Sequence, residues 1–578
     1  MADPTYKGED YALDPAVEKG PLTNRRCTDL FCLLIFAAAV AFGVYIGIYA
    51  VENGDPASIL APMDADGNLC GKTPGYKDYP YLYFSNINSP FPLPFGVCVS
   101  ECPATAESPV NCVKTTNTPL GCEMYSPQYA TTTFLDRWCI PVYNELPESV
   151  KSNYDNLVGS IGLDDVQGYI RDIERCWKVY LIAIATCMVI VFLYNWFLRC
   201  FAEILTWIAI ILVGCGIFGL GWLVKDYATV NYPEGDTTQK WLNIGAYTIW
   251  VLLGVYALAI CCMFYSIKIS VKVLKTSATI IMHNMRMIII PLVGIAFVAL
   301  WVCFSTYFLL YLGSCGEVVQ KESLGYYYST YVWTKTQKGY LWFSLFLFFW
   351  VNALIIAATQ YVLIVAVVSW YFTSNPEKRG VFSIMRGYWW CLRYNLGSLL
   401  FGSLLIAIVW MIRTVFEYIN KKIMAANSGQ PMPRALVALT NCIRCCLACC
   451  HRFIKYVNLN AYCQIALTGE SFCMAAINGF CLILKNSAAF IFTGGIGALF
   501  NFLGKITVTI ANCFVAFLII DTWSELKEIN SPLGPIAVVF IISFCMSSLF
   551  LGMYTTCATC LLHCLFADID ICNTLSKD

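Results

Sequence analysis

The uncharged run Tyr340–Thr373 constrains the fold of this chain more than any other stretch of its sequence. As an α-helix rising about 1.5 Å per residue, it reaches roughly 50 Å and exceeds the roughly 30 Å hydrocarbon core of a bilayer. The run therefore predicts a transmembrane helix. On a helical wheel, six of its residues form one stripe: Phe343, Phe346, Trp350, Ala353, Ala357 and Tyr361.

This stripe has two interpretations. Aromatic rings followed by small residues leave a hollow with a π-lined wall, which can hold a cation that has no N–H donors. The same pattern is also typical of ordinary packing between helices. Taken alone, the run favours packing.

The composition identifies a polytopic membrane protein. Of 578 residues, 58% are hydrophobic and 13% are charged, which is too apolar for a soluble protein of this length. We predict an all-α polytopic membrane protein, with about ten transmembrane helices and a disulfide-stapled extracellular domain between the first and second. The sequence has no basic cluster with interleaved aromatic residues outside the apolar runs, so nucleic acid is not an expected partner.

The apolar runs divide the chain into segments. Arg25 and Arg26 precede the first run, Asp29–Val51, and favour a cytoplasmic N-terminus. The predicted order is a cytoplasmic tail (1–27), the first transmembrane helix (28–51), an extracellular Cys-containing domain (52–176), transmembrane helices two to six (177–372), a basic, Cys-rich membrane-associated segment that could contain helices seven and eight (373–501), the last two transmembrane helices (502–562) and a cytoplasmic tail (563–578).

The insert after the first helix is acidic and contains no spanning run. An even number of cysteines in a translocated, loop-rich segment predicts about three disulfide bonds, whose pairing the sequence leaves open. Cys98 and Cys102 have a spacing that a metal site permits, but the insert has no histidine, so disulfides are favoured. The cysteines are Cys70, Cys98, Cys102, Cys112, Cys122 and Cys139.

Further apolar runs after the insert predict simple crossings, in addition to Tyr340–Thr373. Arg199 lies between the first two and indicates a tight cytoplasmic turn there. The runs are Trp177–Leu198, Phe201–Val224, Trp241–Tyr265, Met287–Leu312, Phe502–Trp523 and Pro535–Leu562.

The connector Ser266–Arg286 carries lysines on one helical face and apolar residues beside it. Lys268, Lys272 and Lys275 on one face predict an amphipathic helix at the inner leaflet. An ordinary cytoplasmic connector fits the sequence equally well.

The segment 373–501 contains two weaker candidates for crossings, Leu396–Trp410 and a run within Ile465–Gly497. Together they would raise the number of spans to ten and keep both termini inside. Basic residues on both sides of Leu396–Trp410 indicate a segment that dips into the bilayer and returns, or lies in the interface.

A cysteine cluster, CIRCCLACC, occupies residues 442–450. Its spacing permits a zinc site or a redox pair. Its setting among basic and apolar residues, expected on the inner face, favours palmitoylation or plain membrane-facing cysteines. The candidates for lipidation are Cys445, Cys446, Cys449 and Cys450.

The sequence contains no catalytic or cofactor-binding motif, so neither an enzyme nor a resident cofactor is expected. Glu203 is a carboxylate near a membrane segment and is flanked by apolar residues. An acid in that position is a functional candidate, although it could also face the interface.

Short blocks along the chain resemble the choline transporter-like proteins, solute carrier family 44. No block is specific alone, but together they follow the family's order over essentially the whole sequence. They are Asn53-Gly54-Asp55-Pro56, Asn68-Leu69-Cys70-Gly71, Lys77–Phe84, Cys98-Val99-Ser100-Glu101-Cys102-Pro103, Ser369–Thr373, Asn460-Ala461-Tyr462, Ser471-Phe472-Cys473 and Phe502-Leu503-Gly504-Lys505.

The resemblance implies a plasma- or organelle-membrane protein with about ten spans, a disulfide-bonded loop after the first span and cytoplasmic termini. It implies transport of choline, with ethanolamine or other organic cations carried by some members. That transport is expected to be sodium-independent, and facilitated or proton-coupled.

The resemblance also implies that Trp350 belongs to the substrate site. Some members have an acidic residue three positions later, where this chain has Ala353, a departure that bears on the charge balance of the site. Because a trimethylammonium group has no N–H donor, an aromatic cage is its natural binding site. Further candidates for the walls are Tyr361, Trp301, Phe304 and Trp250, and candidates for contact with the hydroxyl are Asn352 and Gln360.

The leading hypothesis is therefore a transporter of choline or a related cation in an aromatic cage. The alternative is a non-transporting membrane scaffold or lipid-organising protein, which the Cys cluster and the basic inner face favour. An ion channel lacks a filter motif here, and an enzyme acting on lipids lacks a nucleophile or an acid–base pair.

Overall fold

The computed structural model describes residues 21–86, 93–105, 110–117, 129–134, 136–142, 172–173, 175–233, 236–323, 325–373, 383–426, 434–523 and 531–575. Cys122, which belongs to the predicted disulfide set, lies outside these ranges.

Long α-helices make up most of the described chain. In lipid a helix satisfies its backbone N–H and C=O groups internally, so apolar runs of this length favour it. The helices are α1 (Leu30–Asn53), α2 (Pro56–Leu60), α3 (Trp177–Asn231), α4 (Thr237–Cys262), α5 (Phe264–His283), α6 (Ile289–Ser314), α7 (Lys335–Phe372), α8 (Ser383–Arg393), α9 (Leu396–Ala426), α10 (Arg434–Thr468), α11 (Phe472–Lys485), α12 (Ser487–Thr522) and α13 (Leu533–Leu575).

Within the described ranges, nine helices are long and apolar enough to cross a bilayer. They are α1, α3, α4, α6, α7, α9, α10, α12 and α13. The predicted fold class, an all-α polytopic membrane protein, is confirmed.

The insert between α1 and α3 contains a small sheet. Its strands are β1 (Tyr81–Phe84), β2 (Gly96–Val99), β3 (Thr131–Phe134) and β4 (Trp138–Pro141), in the order β2-β1-β4-β3. The β1–β2 and β3–β4 pairs are antiparallel, and β1 and β4 are parallel.

Disulfide bonds link this sheet as the sequence predicted. Cys70 pairs with Cys98, and Cys102 pairs with Cys139. Cys112 is also disulfide-bonded. Because disulfides persist in oxidising compartments, they place the insert on the extracytoplasmic side.

A β-hairpin between α6 and α7 packs on the disulfide-bonded insert. It consists of β5 (Glu317–Ser323) and β6 (Tyr326–Val332). The backbone N–H of Tyr327 donates to Asn117 Oδ1 at 3.2 Å, and the Ser329 hydroxyl donates to the Ala65 carbonyl at 3.0 Å. The end of α6 and the start of α7 are therefore also extracytoplasmic.

The turn predicted at Arg199 is wrong, because α3 is one helix of 55 residues. Its first half packs on α12, where Tyr194 donates to the Phe500 carbonyl at 2.8 Å. Its second half packs on α4, where Tyr256 donates to the Ile210 carbonyl at 3.0 Å. No Gly or Pro interrupts the helix before Gly214, and a single charged side chain does not stop it.

The prediction that Leu396–Trp410 dips in and returns is also wrong. The helix continues to Ala426 as α9 and runs beside α7. Its first turns meet Trp350, whereas Tyr418 near its end packs on Trp342, with ring centroids 5.4 Å apart. The α9 helix therefore starts deep in the bundle beside Trp350 and ends on the extracytoplasmic side beside Trp342.

The run within Ile465–Gly497 does not form one span. The α10 helix ends at Thr468, α11 follows from Phe472, and α12 begins at Ser487. Gly469 has φ of +73°, a left-handed conformation that glycine adopts without strain and that commonly ends a helix.

The amphipathic helix predicted after the fourth span is present as α5. Its lysines at 268, 272 and 275 are exposed, whereas Ile267 and Leu274 are buried where α5 packs on α3, α12 and α13. The proximity of its basic face to the inner leaflet stays a prediction.

The most buried element is α7, which contacts α1, α6, α8, α9, α10 and α13. Every residue from Tyr361 to Ser369 is buried. All six stripe residues lie on this helix. The neighbouring helices therefore decide whether the stripe packs against side chains or lines a site for a cation.

We predict that Cys70→Ser lowers the amount of folded protein. The change removes a covalent link between positions 28 residues apart, and loss of a native disulfide typically costs about 2–5 kcal/mol in a small extracellular domain. Surface biotinylation of cells expressing the variant measures the effect. Cys303→Ser replaces an exposed free cysteine and is the matched control; equal surface yields for both variants would contradict a stabilising role of the bridge.

Candidate functional site

Trp350 lies in the protein interior between α7, α1 and α9. Its side chain is 1% exposed. Phe36 of α1 meets its ring edge to face at a centroid distance of 5.1 Å, and Phe346 lies at 5.7 Å. The indole Nε1 donates to the Leu400 carbonyl at 3.3 Å. In this conformation Trp350 therefore packs against neighbouring side chains and positions α1 and α9 on α7.

Trp301 and Phe304, two other predicted wall residues, line an open cleft. The cleft has a volume of about 800 Å³ and lies between α1, α6 and α7. The two rings lie 5.6 Å apart, and Trp301 Nε1 donates to the Phe348 carbonyl of α7 at 3.3 Å. Their position on adjacent turns of α6 brings both rings to the same wall.

Phe36 connects the cleft with Trp350. It lines the cleft wall and also contacts the Trp350 ring. The sequence does not single out Phe36, because the run Asp29–Val51 indicates only that α1 can span the membrane. Trp350 therefore lies directly behind an aromatic wall rather than in it.

Close approach of α1 to α6 and α7 depends on two glycines one helical turn apart. A Cβ atom at Gly43 would lie 2.7 Å from Leu347, and one at Gly47 would lie 3.1 Å from Phe308. Small residues at this spacing commonly allow membrane helices to pack closely. They set the width of the cleft.

Polar groups of the cleft are concentrated near its extracytoplasmic end. Glu52 is the one carboxylate among the described lining residues, and it lies on the last turn of α1. Tyr307 donates to the Tyr311 hydroxyl at 3.0 Å on the facing helix. The cleft therefore combines an aromatic, mostly apolar wall with a negative charge at its extracytoplasmic end.

Tyr361 belongs to a different environment from Trp301. It lies ten positions beyond the lining residue Val351, about 15 Å further along α7. Its hydroxyl donates to Asn395 Oδ1 at 2.9 Å and accepts from the Arg25 guanidinium at 3.2 Å. The stripe thus leads from the region of the cleft to a buried polar cluster at the other end of α7.

The candidates for contact with a substrate hydroxyl do not meet in the cleft. Asn352 lines a separate depression of about 450 Å³ between α7 and α9, together with Trp410. Gln360 is half-buried beside Tyr361. Ala353 is buried on the same stripe as Trp350.

Trp250 and Glu203 lie on the α3–α4 pair. Trp250 packs over Gly221, and the Lys225 ammonium lies 5.4 Å from its ring centroid. Glu203 is exposed on α3. Since α3 packs on α4, α5, α12 and α13, the structure does not bring these two residues together with Trp301 or Trp350.

The cysteine cluster lies on exposed faces of α10. Its Arg444 pairs with both Glu417 oxygens of α9 at 2.8 Å, next to the contact between Tyr418 and Trp342 near the start of α7. The expected position on the inner face is therefore wrong. Among the described residues, no group of three or more His, Cys, Asp or Glu side chains could hold a metal, and lipidation stays a prediction.

Comparison with known proteins identifies the family of this chain. A family model described as plasma-membrane choline transporter matches residues 247–570. Choline transporter-like protein 2 of Xenopus laevis is 25% identical over 97% of this chain and 94% of its own length. The human protein of the same name is 24% identical over 97% and 94%, and choline transporter-like protein 4 of Bos taurus is 25% identical over 97% and 93%.

The matched region begins in α4 and extends into α13, and it includes the helices that carry Trp301 and Trp350. The relatives are named as transporters and cover almost the whole chain. The chain is a multi-pass membrane protein that belongs to the plasma-membrane choline transporter family.

Proposed function

We propose that this protein carries choline across the plasma membrane and binds its trimethylammonium group in the cleft between α1, α6 and α7. The observation that carries the proposal is the aromatic wall formed by Trp301, Phe304 and Phe36. A quaternary ammonium offers no N–H donor, so ring faces supply the attraction that hydrogen bonds cannot, about 2 kcal/mol or more once water is excluded.

Glu52 supports the same assignment. This chain has Ala353 where some family members have an acidic residue on α7, and Glu52 provides a carboxylate at the extracytoplasmic end of the cleft. A negative charge at an entrance attracts a cation and raises its local concentration.

The apolar lining also supports selectivity within the substrate class. Ethanolamine carries a primary ammonium whose three donors need acceptors, and most of the cleft wall offers none. The trimethylammonium group of choline has no N–H donors and is weakly hydrated, so little hydration free energy is lost when it enters the cleft. We therefore propose choline as the preferred substrate and ethanolamine as a weaker one.

We also propose sodium-independent transport that is facilitated or proton-coupled. The family resemblance is the basis for both properties. Uptake of labelled choline in sodium-free medium, with and without an imposed proton gradient, tests them.

Substitutions at Trp301 and Glu52 test the proposed substrate cleft. Trp301→Ala should raise the KM for choline about 30-fold, the equivalent of one cation–π contact of about 2 kcal/mol, with a smaller change for Trp301→Phe. Glu52→Gln should raise KM and weaken its dependence on ionic strength. Uptake of labelled choline by cells measures both.

Trp250→Ala is the matched control, since it removes a tryptophan from the α3–α4 pair and leaves the cleft unchanged. The neutral isostere 3,3-dimethyl-1-butanol should compete poorly, whereas tetramethylammonium should compete well. Equal inhibition by the two compounds would contradict recognition of the positive charge. An absence of choline uptake by the wild-type protein would instead favour the scaffold function.

A further prediction separates packing from substrate contact at Trp350. Trp350→Ala empties a buried space and should cost about 3–5 kcal/mol, whereas Trp350→Phe loses mainly one hydrogen bond and should cost about 1 kcal/mol. Thermal unfolding of the purified variants gives their order of stability. Trp350→Phe should retain choline uptake. Loss of uptake in a variant that stays folded and reaches the cell surface would place Trp350 in contact with the substrate.

A further inference from the structure

The segment that precedes α1, residues 21–29, is bound into the cytoplasmic end of the bundle. We call it the N-terminal strap. The backbone N–H of Leu22 donates to the Leu467 carbonyl of α10 at 3.0 Å, and that of Thr28 donates to the Tyr394 carbonyl at 3.2 Å. A polar, charged tail would ordinarily stay in water, so these contacts need an energetic reason.

Arg25 is buried at the centre of the strap, with 6% of its surface exposed. Its guanidinium carbon lies 3.8 Å from the ring centroid of Trp390 on α8. The NH1 group donates to the Ile465 carbonyl at 2.9 Å and to Tyr361, and NH2 donates to the Ala466 carbonyl at 2.5 Å. This is a cation site made of an aromatic face and oxygen atoms.

All these partners of the guanidinium are neutral. Ile465 and Ala466 are in the last turn of α10, at the negative end of the helix dipole, and the Ile465 carbonyl also accepts from the backbone N–H of Gly469 at 2.9 Å. Gly469 ends the helix and makes room, because a Cβ there would lie 3.3 Å from the Arg25 side chain. The site therefore attracts positive charge without holding it by a carboxylate.

Asp29 fixes the other end of the strap. Its Oδ2 accepts from the Ser398 hydroxyl at 2.5 Å and from the backbone N–H of Phe472, the first residue of α11, at 2.8 Å. Asp29 also adopts a left-handed φ of 54°, which is uncommon for a residue other than glycine. The strap is therefore tethered four residues from Arg25, close to the site.

The Arg25 site and the aromatic cleft are linked by one helix. The stripe of α7 passes from Trp350, behind the cleft, through Ala353 and Ala357 to Tyr361, and all four side chains are buried. The cleft is lined by residues of the extracytoplasmic half of α7, Ser344 to Val351, whereas Arg25 lies against Tyr361 in the other half.

We propose that Arg25 is a tethered cation that closes the cytoplasmic end of the transport path, and that the transported cation displaces it from the Trp390 face. The strap then withdraws and opens the path to the cytoplasm. Both cations are recognised by the same ring face and the same negative helix end, so only one can occupy the site. That the displacing cation is choline rests on the proposed function, whereas closure by Arg25 does not.

Cys391 offers a native reporter of this closure. It follows Trp390 in the sequence and is 2% exposed in the closed structure. In inside-out vesicles containing the full chain, we would measure its reaction with sulfonatoethyl methanethiosulfonate, an anionic reagent that does not cross membranes. Cys572, an exposed thiol near the end of α13, is the internal reference, and mass spectrometry quantifies each peptide.

Arg25→Gln should increase the rate of Cys391 modification about tenfold relative to Cys572, because the closed state loses its central contact. Arg25→Lys keeps the charge but not the planar fork, so its rate should be intermediate. Arg26→Gln is the matched control, because Arg26 is the exposed neighbouring arginine, and its rate should equal that of wild type.

An unchanged rate in Arg25→Gln protein that unfolds at the wild-type temperature would overturn the proposal. An equal rise in Arg26→Gln would overturn it too, because general loosening of the strap would then explain the result.

Choline added to wild-type vesicles should raise the Cys391 rate and should have little effect on Arg25→Gln. If Arg25→Gln raises the rate and choline does not affect wild type, closure by Arg25 is supported and choline as the substrate is contradicted.

Discussion

The burial of α7 is the constraint on which the rest of the structure depends. This helix contacts six other helices, and its second half is buried without interruption from Tyr361 to Ser369. A helix buried on all sides fixes the distances among its neighbours, because each has to fill space against it at high packing density. Trp350 sets the position of α1 and α9, and Tyr361 sets the position of the N-terminal strap.

Two different environments suited to a positive charge lie beside the two halves of this helix. Near the extracytoplasmic end, aromatic rings of α6 and α1 form an apolar cleft with Glu52 at its rim. At the cytoplasmic end, a tryptophan face and the final carbonyls of α10 hold Arg25. Neither of these two sites places an ion pair in the interior. Under the proposed function this suits a cation that has to leave as readily as it enters, because separating a buried ion pair leaves an uncompensated charge and is costly.

Prediction from the sequence succeeded where the signal was local. Apolar runs located α1, α6, α7 and α13, because the length of an apolar run shows whether it can span a bilayer. Cysteines in a polar insert predicted disulfide bonds, because paired cysteines are typical of an extracytoplasmic segment. Trp301 and Phe304, two of the candidate wall residues, lie beside each other on the cleft, because residues three positions apart on a helix share a face; their role in substrate binding stays a prediction. Trp250 and Tyr361 did not join that wall, since residues on different elements meet only through packing.

The amino-acid sequence by itself determined that this chain is a helical membrane protein with a disulfide-bonded extracellular domain, and that it belongs with choline transporters. Only the tertiary structure decided which aromatic rings face the cleft and that Arg199 lies inside a continuous helix. It also decided that Arg25 contacts Tyr361, which lies 336 positions later in the sequence. The physical reason is that periodicity and composition act along the chain, whereas burial and charge compensation depend on neighbours that are distant in sequence. Arg25 and Arg26 are adjacent arginines that the sequence does not distinguish, and only the packing shows that Arg25 is buried and Arg26 is exposed.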